Sequence, residues 1–371
     1  MNKTKTSNPV RLIAFFLTGI LLTCTFGFTV DGWQLKDDPI NEGPGDNFID
    51  NSILNDQAPN DEDSVDENPD IYIPAFINPI TGLETTEEFS KNKHLAFVMN
   101  SYEACYGISS SDLLIEIPIE DGKSRFISFM PDISNLWKIG SLTSSRGYIS
   151  NLITYFGGVG IFNGLDDAIE YNKCNNSSSD FDMQKYSGYN YTEFSNLTYT
   201  NCDLINTGLA SLGIDRMIYT ERTLPFTFCD FGAEPIFYES IAKRISISDE
   251  INRMSELIFD EENGTYYYCK ENERLYDSLN GKLLNFKNCF VLFADSVTYD
   301  NSNCSQMVMD TIGSGVGYYI TEGSYTEIQW YATSSGVMTF YGLDGEKLTI
   351  NRGSSYIKFV KSSKIDNIIF L

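Results

Sequence analysis

The stretch DLLIEIPIEDGKSRF, Asp112–Phe126, decides how the middle of this 371-residue chain folds. Its first half has the two-residue period of a β-strand, with large aliphatic side chains on one face. Asp121-Gly122 is a turn signal, and RFISFM at Arg125–Met130 continues as a second strand-like run. The stretch therefore predicts a β-hairpin.

The polar residues of this hairpin are the first candidates for a site. Alternation places Asp112, Glu116 and Glu120 on the face opposite the aliphatic residues. Carboxylates four residues apart along a strand are separated by roughly 13 Å. Paired glycosidase carboxylates are closer, at about 5 to 9.5 Å, so these two glutamates cannot form such a pair alone. The face is either a solvated surface or a ligand-contacting patch, and Arg125 could neutralise one of the carboxylates.

Working outward from the hairpin, short strands alternate with helical patterns through about residue 215. Further strands are predicted at Leu95–Met99 and Val159–Phe162. Helix-period stretches occupy Gly147–Phe156, Leu165–Tyr171 and Leu204–Leu212. This alternation predicts a layered α/β domain over residues 71–240.

The C-terminal part is different in character. A helical region is predicted around Glu234–Phe259, and after it come strand-like runs at roughly ten-residue spacing, such as NCFVLFADSVTY and YIKFV. Asn-Gly and Asp-Gly turns separate several of them. Residues 241–371 therefore read as a β-rich domain, and the fold class expected for the whole chain is α+β.

The first 30 residues are basic and then apolar, typical of an export segment. Leu12–Val30 contains 19 residues without a charge, enough to span a hydrocarbon core. Three interpretations remain open: an uncleaved anchor, a cleaved secretory signal, or a lipoprotein signal with Cys24 as the lipidated residue. In each case the preceding positive charge directs the rest of the chain outward.

Residues 31–70 form an acidic stretch with thirteen carboxylates and a single lysine. Such a composition cannot bury enough apolar surface to offset its ordering entropy. We expect a disordered spacer that holds the folded part away from a membrane.

The overall charge and the cysteine pattern exclude some functions. A net charge of −25 argues against nucleic acid as a partner, because phosphate binding needs clustered cations. The eight cysteines show no metal-ligand spacing and there is one histidine, His94, so no metal or other cofactor is expected. Cys269 and Cys289 lie in neighbouring strand-like runs and are the candidate disulfide.

Ser144-Ser145-Arg146 precedes the helix predicted at Gly147. A serine there suits an N-cap, and the free backbone N–H groups could meet an anion. Ser144 and Arg146 are therefore candidate ligand contacts, with helix capping as the alternative. His94 is expected at the surface.

Several motifs occur in a fixed order along the chain. They are NPITGLE (Asn78–Glu84), LAFVMN (Leu95–Asn100), GISSSDLLIEIPIEDGKSRF (Gly107–Phe126), IGSLTSSR (Ile139–Arg146) and a C-terminal series from GSGVGYYITEG to SSYIKFV (Gly313–Val360). In these motifs the chain resembles the YerB-type lipoproteins of Gram-positive bacteria, a two-domain family of unknown biochemical function. The resemblance assigns Asp112, Glu116, Glu120, Arg125, Ser144 and Arg146 to the family's motif positions.

The chain departs from that family at a few polar positions. Thr143 stands where the family has an arginine, and Ile161 where it tends to have a histidine. These departures leave Glu116, Arg125 and Arg146 as the retained polar set of a family pocket, and we expect these three to face one cavity.

Three functions are compatible with the sequence. The first is a membrane-tethered, extracytoplasmic protein of the cell envelope that binds or scaffolds an envelope component without catalysis. The second is an envelope hydrolase that uses Glu116 and Glu120 with a further carboxylate. The third is a structural module that assembles through its β-rich half.

Overall fold

The computed structural model describes residues 72–165, 180–193, 196–218, 224–250, 253–300, 305–334 and 336–371. The predicted export segment with Cys24 and the predicted spacer lie outside these residues, as does most of the helix predicted at Leu165–Tyr171. Residues 67–371 form one compact unit, and the fold below is that of this unit.

The elements up to residue 240 begin with a five-residue helix. The helices are α1 (Glu87–Lys91), α2 (Gly147–Tyr155) and α3 (Cys202–Leu212). The strands are β1 (Leu95–Asn100), β2 (Leu113–Pro118), β3 (Ser124–Met130), β4 (Ile139–Leu142), β5 (Val159–Phe162), β6 (Phe181–Asp182), β7 (Tyr191–Thr192), β8 (Thr198–Thr200) and β9 (Thr227–Phe228). Short 3₁₀ turns lie at Ile108–Ser110 and Glu120–Gly122. The predicted central hairpin and the predictions of β1, β5, α2 and α3 are confirmed.

The remaining elements are strands and one 3₁₀ turn, Ser362–Asn367. The strands are β10 (Ser240–Ile241), β11 (Arg244–Glu250), β12 (Arg253–Asp260), β13 (Thr265–Lys270), β14 (Glu273–Arg274), β15 (Asn285–Phe286), β16 (Asn288–Ala294), β17 (Ser296–Asp300), β18 (Ser305–Met309), β19 (Gly313–Thr321), β20 (Ser324–Ala332), β21 (Thr339–Gly342), β22 (Thr349–Ile350), β23 (Ser355–Lys361) and β24 (Ile368–Phe370). The prediction of a β-rich C-terminal half is confirmed.

The helix predicted around Glu234–Phe259 is wrong, because β11 and β12 pair there as an antiparallel hairpin. On β11 Ile245 and Ile247 are buried while Ser246 and Ser248 are only partly buried, which is the period of a strand. The charged residues scattered between them gave this segment a helix-like pattern.

Strands from both halves of the chain form one 14-stranded sheet. Its central path runs β16-β23-β2-β3-β1, and β23 pairs in parallel with both β16 and β2. A second sheet of six strands is built from β11 to β15 and β24. The protein is thus β-rich with few helices, and the layered α/β arrangement predicted for residues 71–240 is not confirmed. The boundary predicted at residue 240 falls inside β10.

Each face of the large sheet carries a hydrophobic core. On one face α2 packs over β2 and β3, and Phe156 meets Phe129 edge to face at 6.0 Å. On the other face the six-stranded sheet covers the same strands, and Tyr268 contacts Phe126 at 6.1 Å between ring centroids. β2 is therefore buried on both faces. The expected solvated outer face of the hairpin is wrong for this strand.

Asp121 and Gly122 turn the chain from β2 into β3. Their φ angles are 59° and 64°, a left-handed pair that Asp-Gly adopts more easily than most sequences. This turn fixes which residues of β2 and β3 face each other, so Glu116 and Ser124 reach the same side of the sheet.

Asp277 ties the loop before β2 to the C-terminal half. It is fully buried, and its Oδ1 accepts hydrogen bonds from the backbone N–H of Gly107 and of Leu279 at 2.9 and 2.8 Å. Its Oδ2 accepts from the N–H and the hydroxyl of Ser109 at 2.9 and 2.6 Å. One carboxylate thus satisfies four donors.

We expect Asp277→Asn to lower the free energy of unfolding by about 2 kcal/mol, because an amide leaves buried donors without an acceptor. Urea denaturation measures the change. Asp344→Asn, in an exposed turn, is the control and should stay within about 0.5 kcal/mol of the parent. Equal effects of the two substitutions would contradict the role given to Asp277.

Cys269 and Cys289 are both free thiols, so the predicted disulfide is wrong. Cys289 lies on β16 and points into the core between the two sheets. On β13 it is Tyr266 and Tyr268 that point into this core, and Cys269, the residue after Tyr268, faces the other way, beside Glu256. The two thiols therefore lie on different sheets and point to different sides.

Candidate functional site

Glu116 is the centre of a buried polar cluster on β2. Its exposed fraction is 3%, because the six-stranded sheet covers this face. Its Oε1 accepts a hydrogen bond from the Ser124 hydroxyl at 2.6 Å. Its Oε2 accepts from the hydroxyls of Tyr356 and Tyr268, at 2.5 and 3.1 Å. Lys358 Nζ lies 3.1 Å from the same oxygen and completes a buried ion pair.

The environment of Glu116 favours its ionised form. Burial by itself would raise the pKa of this carboxyl, but the positive charges of Lys358 and Lys270 and the hydroxyl hydrogen bonds outweigh burial and lower the pKa to about 2. A carboxyl held ionised in this way cannot serve as a general acid near neutral pH.

Lys270 lies at the end of β13, beside this cluster. Its Nζ donates to the Ser101 carbonyl at 2.8 Å and lies 3.5 Å from the centre of the Tyr102 ring. Burial lowers the pKa of Lys270, and the nearby Glu116 carboxylate opposes this shift. The amine has three donors, so the Ser101 carbonyl uses one of them.

A pocket opens between the two sheets next to Glu116. β2, β3, β12, β13 and β23 all contribute to its walls. Tyr102, Met254 and Tyr268 form less polar parts of the wall. Its charged lining residues are Lys123, Lys270, Lys358, Lys361, Glu116 and Glu271.

Four of the other predicted site residues meet at the start of α2, on the opposite face of the sheet. Arg146 is 1% exposed and holds both carboxylate oxygens of Glu120 through its two terminal nitrogens. Arg125 donates to the carbonyl and the hydroxyl of Ser144, at 2.5 and 3.1 Å. Burial raises the pKa of Glu120, but the bonds from Arg146 dominate and lower it.

The expectation that Glu116, Arg125 and Arg146 face one cavity is therefore wrong. Glu116 shares its side of the hairpin with Phe126 and the six-stranded sheet, whereas Arg125 lies on the side of α2. The two sides are separated by the backbone of β2 and β3. Neither arginine lines the pocket.

The N-cap expected from the serines before α2 is also wrong. Arg146 occupies the N-cap position, without a side-chain capping bond. The Ser144 hydroxyl accepts from Arg125, and the Ser145 hydroxyl lies 3.1 Å from that of Ser150. These serines bind side chains of the protein.

Asp112 lies at the far end of β2, away from the pocket. Its Oδ2 is 2.8 Å from His94 Nε2 and accepts from the Asn78 amide at 2.6 Å. His94 is 2% exposed, so its expected surface position is wrong. Asn78 also caps the turn at NPITGLE by accepting from the N–H groups of Ile80 and Thr81. Asp112 therefore belongs to a structural cluster.

Most residues around Glu116 were not predicted from the sequence, above all Lys358, Lys270 and the two tyrosines. One signal was present, since Lys358 interrupts the apolar run YIKFV. A lysine inside a buried strand needs a partner, and unpaired lysines are almost never fully buried.

No group of three or more His, Cys, Asp or Glu side chains suited to a metal ion occurs in the part of the chain that the structure describes. Across those same ranges, no helix has the length and apolar character needed to cross a bilayer.

The C-terminal part of the sequence matches the model of a known protein family. Residues 245–357 match the model of a protein family described as "Protein of unknown function (DUF3048) C-terminal domain". This match runs from β11 into the first residues of β23, ends before Lys358, and includes Lys270 and the pocket wall formed by β12 and β13.

Two comparisons identify the relatives more closely. The chain is 21% identical over 295 residues to the "Putative lipoprotein YerB" of Bacillus subtilis, covering 76% of this chain and 85% of the relative. The crystal structure of the B. subtilis YerB protein shares the fold, with a TM-score of 0.67 at 18% identity, over 80% of this chain and 99% of that one. These comparisons support the resemblance to YerB found in the sequence motifs, which is confirmed.

Proposed function

We propose that this protein is a membrane-tethered component of the cell envelope, displayed on the extracytoplasmic face, whose folded part binds a ligand in the pocket beside Glu116 without transforming it. The proposal that the protein is not a catalyst rests on the ionised, ion-paired state of the two candidate glutamates. Glu116 is paired with Lys358 and Glu120 with Arg146, and the pKa of each is lowered.

The alternative of a hydrolase that uses Glu116 and Glu120 has less support. Carboxylate hydrolases need one carboxyl with a raised pKa to act as the acid, and both carboxyls facing the bound substrate. Here both pKa values are lowered, and Glu120 does not line the pocket that Glu116 lines. A buried carboxylate with this many donors instead fixes the pocket wall in one arrangement.

The tether is supported by the sequence of the N-terminus and by the name of the relative. Leu12–Val30 is uncharged and apolar, and the B. subtilis relative is named a lipoprotein. The acidic residues 31–70 would serve as the spacer between membrane and folded unit, with the membrane and an envelope component as partners. Cys24 is the residue that lipidation would modify.

A reporter enzyme that is active only after export, fused behind Leu371, tests this proposal. We expect the fusion to be active and to sediment with the membrane fraction, since the chain would be held by its N-terminal segment. Mass spectrometry of the mature N-terminus distinguishes a lipid on Cys24 from an uncleaved anchor. An inactive fusion that stays in the cytosol would contradict the proposed location.

A further inference from the structure

The charge of the pocket is opposite to that of the protein. The chain has a net charge of −25, yet four lysines and two glutamates line this pocket. Glu116 and Lys358 neutralise each other inside the wall. The other charged lining residues are three lysines and Glu271, so the lining as a whole contains more positive than negative side chains.

Lys270 presents its charge in a way that suits a ligand. The Ser101 carbonyl and the Tyr102 ring hold the amine in place, which reduces the side-chain entropy lost on binding. The Ser101 hydroxyl lies 3.5 Å away and is a weak acceptor at most. The ammonium group therefore retains donor capacity towards the pocket that it lines.

A second and independent observation is the hydroxyl of Ser255 on β12. The residue is 6% exposed and lines the pocket, and its Oγ has no hydrogen-bond partner within the described ranges. Ser255 pairs with Lys270 across β12 and β13, so the two side chains are neighbours in the pocket wall. A buried hydroxyl without a partner costs free energy, which a ligand acceptor would recover.

We propose that the pocket beside Glu116 binds an anionic ligand through its phosphate or carboxylate oxygens, with Lys270 and Ser255 as the donors and Lys361 as a further positive charge. This inference rests on the binding role proposed above and specifies its ligand class. Tyr102 and Met254 add less polar wall, which suits an anion carried on a larger molecule.

Isothermal titration of the full-length chain in detergent, at constant ionic strength, tests the proposal. The probes are glycerol phosphate, inorganic phosphate and acetate, with chloride as the reference salt. We expect saturable binding of the phosphates, of acetate, or of both. The probe that binds with the highest affinity shows whether the anionic group of the ligand is a phosphate or a carboxylate. Absence of binding by all three probes would overturn the proposal.

Two variants locate the bound anion. Lys270→Gln should weaken binding by about tenfold or more, because it removes a charge-assisted hydrogen bond. Ser255→Ala should weaken it by about fivefold while leaving the melting temperature unchanged or higher, since it removes a buried hydroxyl without a partner. Lys347→Gln removes the same charge from an exposed turn outside the pocket and should leave affinity unchanged.

Unchanged affinity in both pocket variants would overturn the proposal, because the anion would then bind elsewhere. The test is independent of the export assay. An exported fusion without anion binding refutes only the ligand class, and a cytosolic fusion with intact binding refutes only the proposed location.

Discussion

Glu116→Gln is expected to lower the free energy of unfolding by about 3–5 kcal/mol, the usual cost of removing one partner from a buried ion pair. The substitution preserves shape but removes the negative charge that lies 3.1 Å from the Lys358 ammonium, a side chain that is 2% exposed. It also places an amide where Ser124, Tyr268 and Tyr356 now donate to carboxylate oxygens. Urea denaturation followed by circular dichroism measures the loss.

The double variant Glu116→Gln/Lys358→Met tests the cause. Removing both charges should recover much of the stability, because the cost lies in the unpaired charge rather than in the missing pair. Glu256→Gln is the matched control. Glu256 is equally buried, but its partner Arg244 has a side chain that is 47% exposed, so water can solvate the remaining charge. A loss for Glu256→Gln as large as for Glu116→Gln would refute this explanation.

The contribution of Glu116 should also depend on pH. Its pKa is lowered from 4.5 to about 2 in the folded protein, so the folded state favours the ionised form. The resulting stabilisation is fully present above pH 4.5 and is lost as the pH falls towards 2. The difference in stability between the parent and Glu116→Gln should therefore shrink over this interval. A difference that stays constant down to pH 2.5 would contradict the lowered pKa.

Arg146→Ala is expected to lower the free energy of unfolding by about 3 kcal/mol. The substitution removes both hydrogen bonds to Glu120 and empties the space of a side chain that is 2% exposed. Glu120 is 22% exposed and can be partly hydrated, so the loss should not exceed that of Glu116→Gln. Arg146→Lys keeps the charge without the bidentate geometry and should lose roughly half as much.

Anion binding by the folded Arg146→Ala protein should be unchanged, because Arg146 lies on the face of the sheet opposite the pocket. Titration below the melting temperature of the variant provides this measurement. A variant of normal stability that no longer binds anions would instead place Arg146 in the site.

The sequence predicts local structure well where its apolar residues recur with the strict period of a strand or a helix. The hairpin of β2 and β3, the helix α2 and the strands after residue 260 all follow from alternation, helical period and turn residues within short windows. The wrong prediction of a helix around Glu234–Phe259 has a physical origin. β11 and β12 are short of apolar residues, so their charged positions suggested a helix, and only pairing with β13 and β24 stabilises them as strands.

The site was only partly predictable because its contacts are distant in the sequence. Glu116 was one of several carboxylates named as candidates from the alternation of its strand, and it lies at the centre of the buried cluster. Its partners Tyr268 and Tyr356 follow 152 and 240 residues later, and no local pattern shows that these strands become neighbours. Alternation also cannot tell which face of β3 is covered by a helix and which by a second sheet, and for this reason Arg125 was grouped with Glu116.

The position of β23 has a consequence for the order of events in synthesis. This strand, Ser355–Lys361, sits between β2 and β16 near the middle of the large sheet, yet its Tyr356 follows Glu116 of β2 by 240 residues. Until it arrives, the edges of β2 and β16 cannot be bridged and the hydroxyl of Tyr356 cannot reach Glu116. The nascent polypeptide therefore cannot complete the large sheet before β23 has left the ribosome.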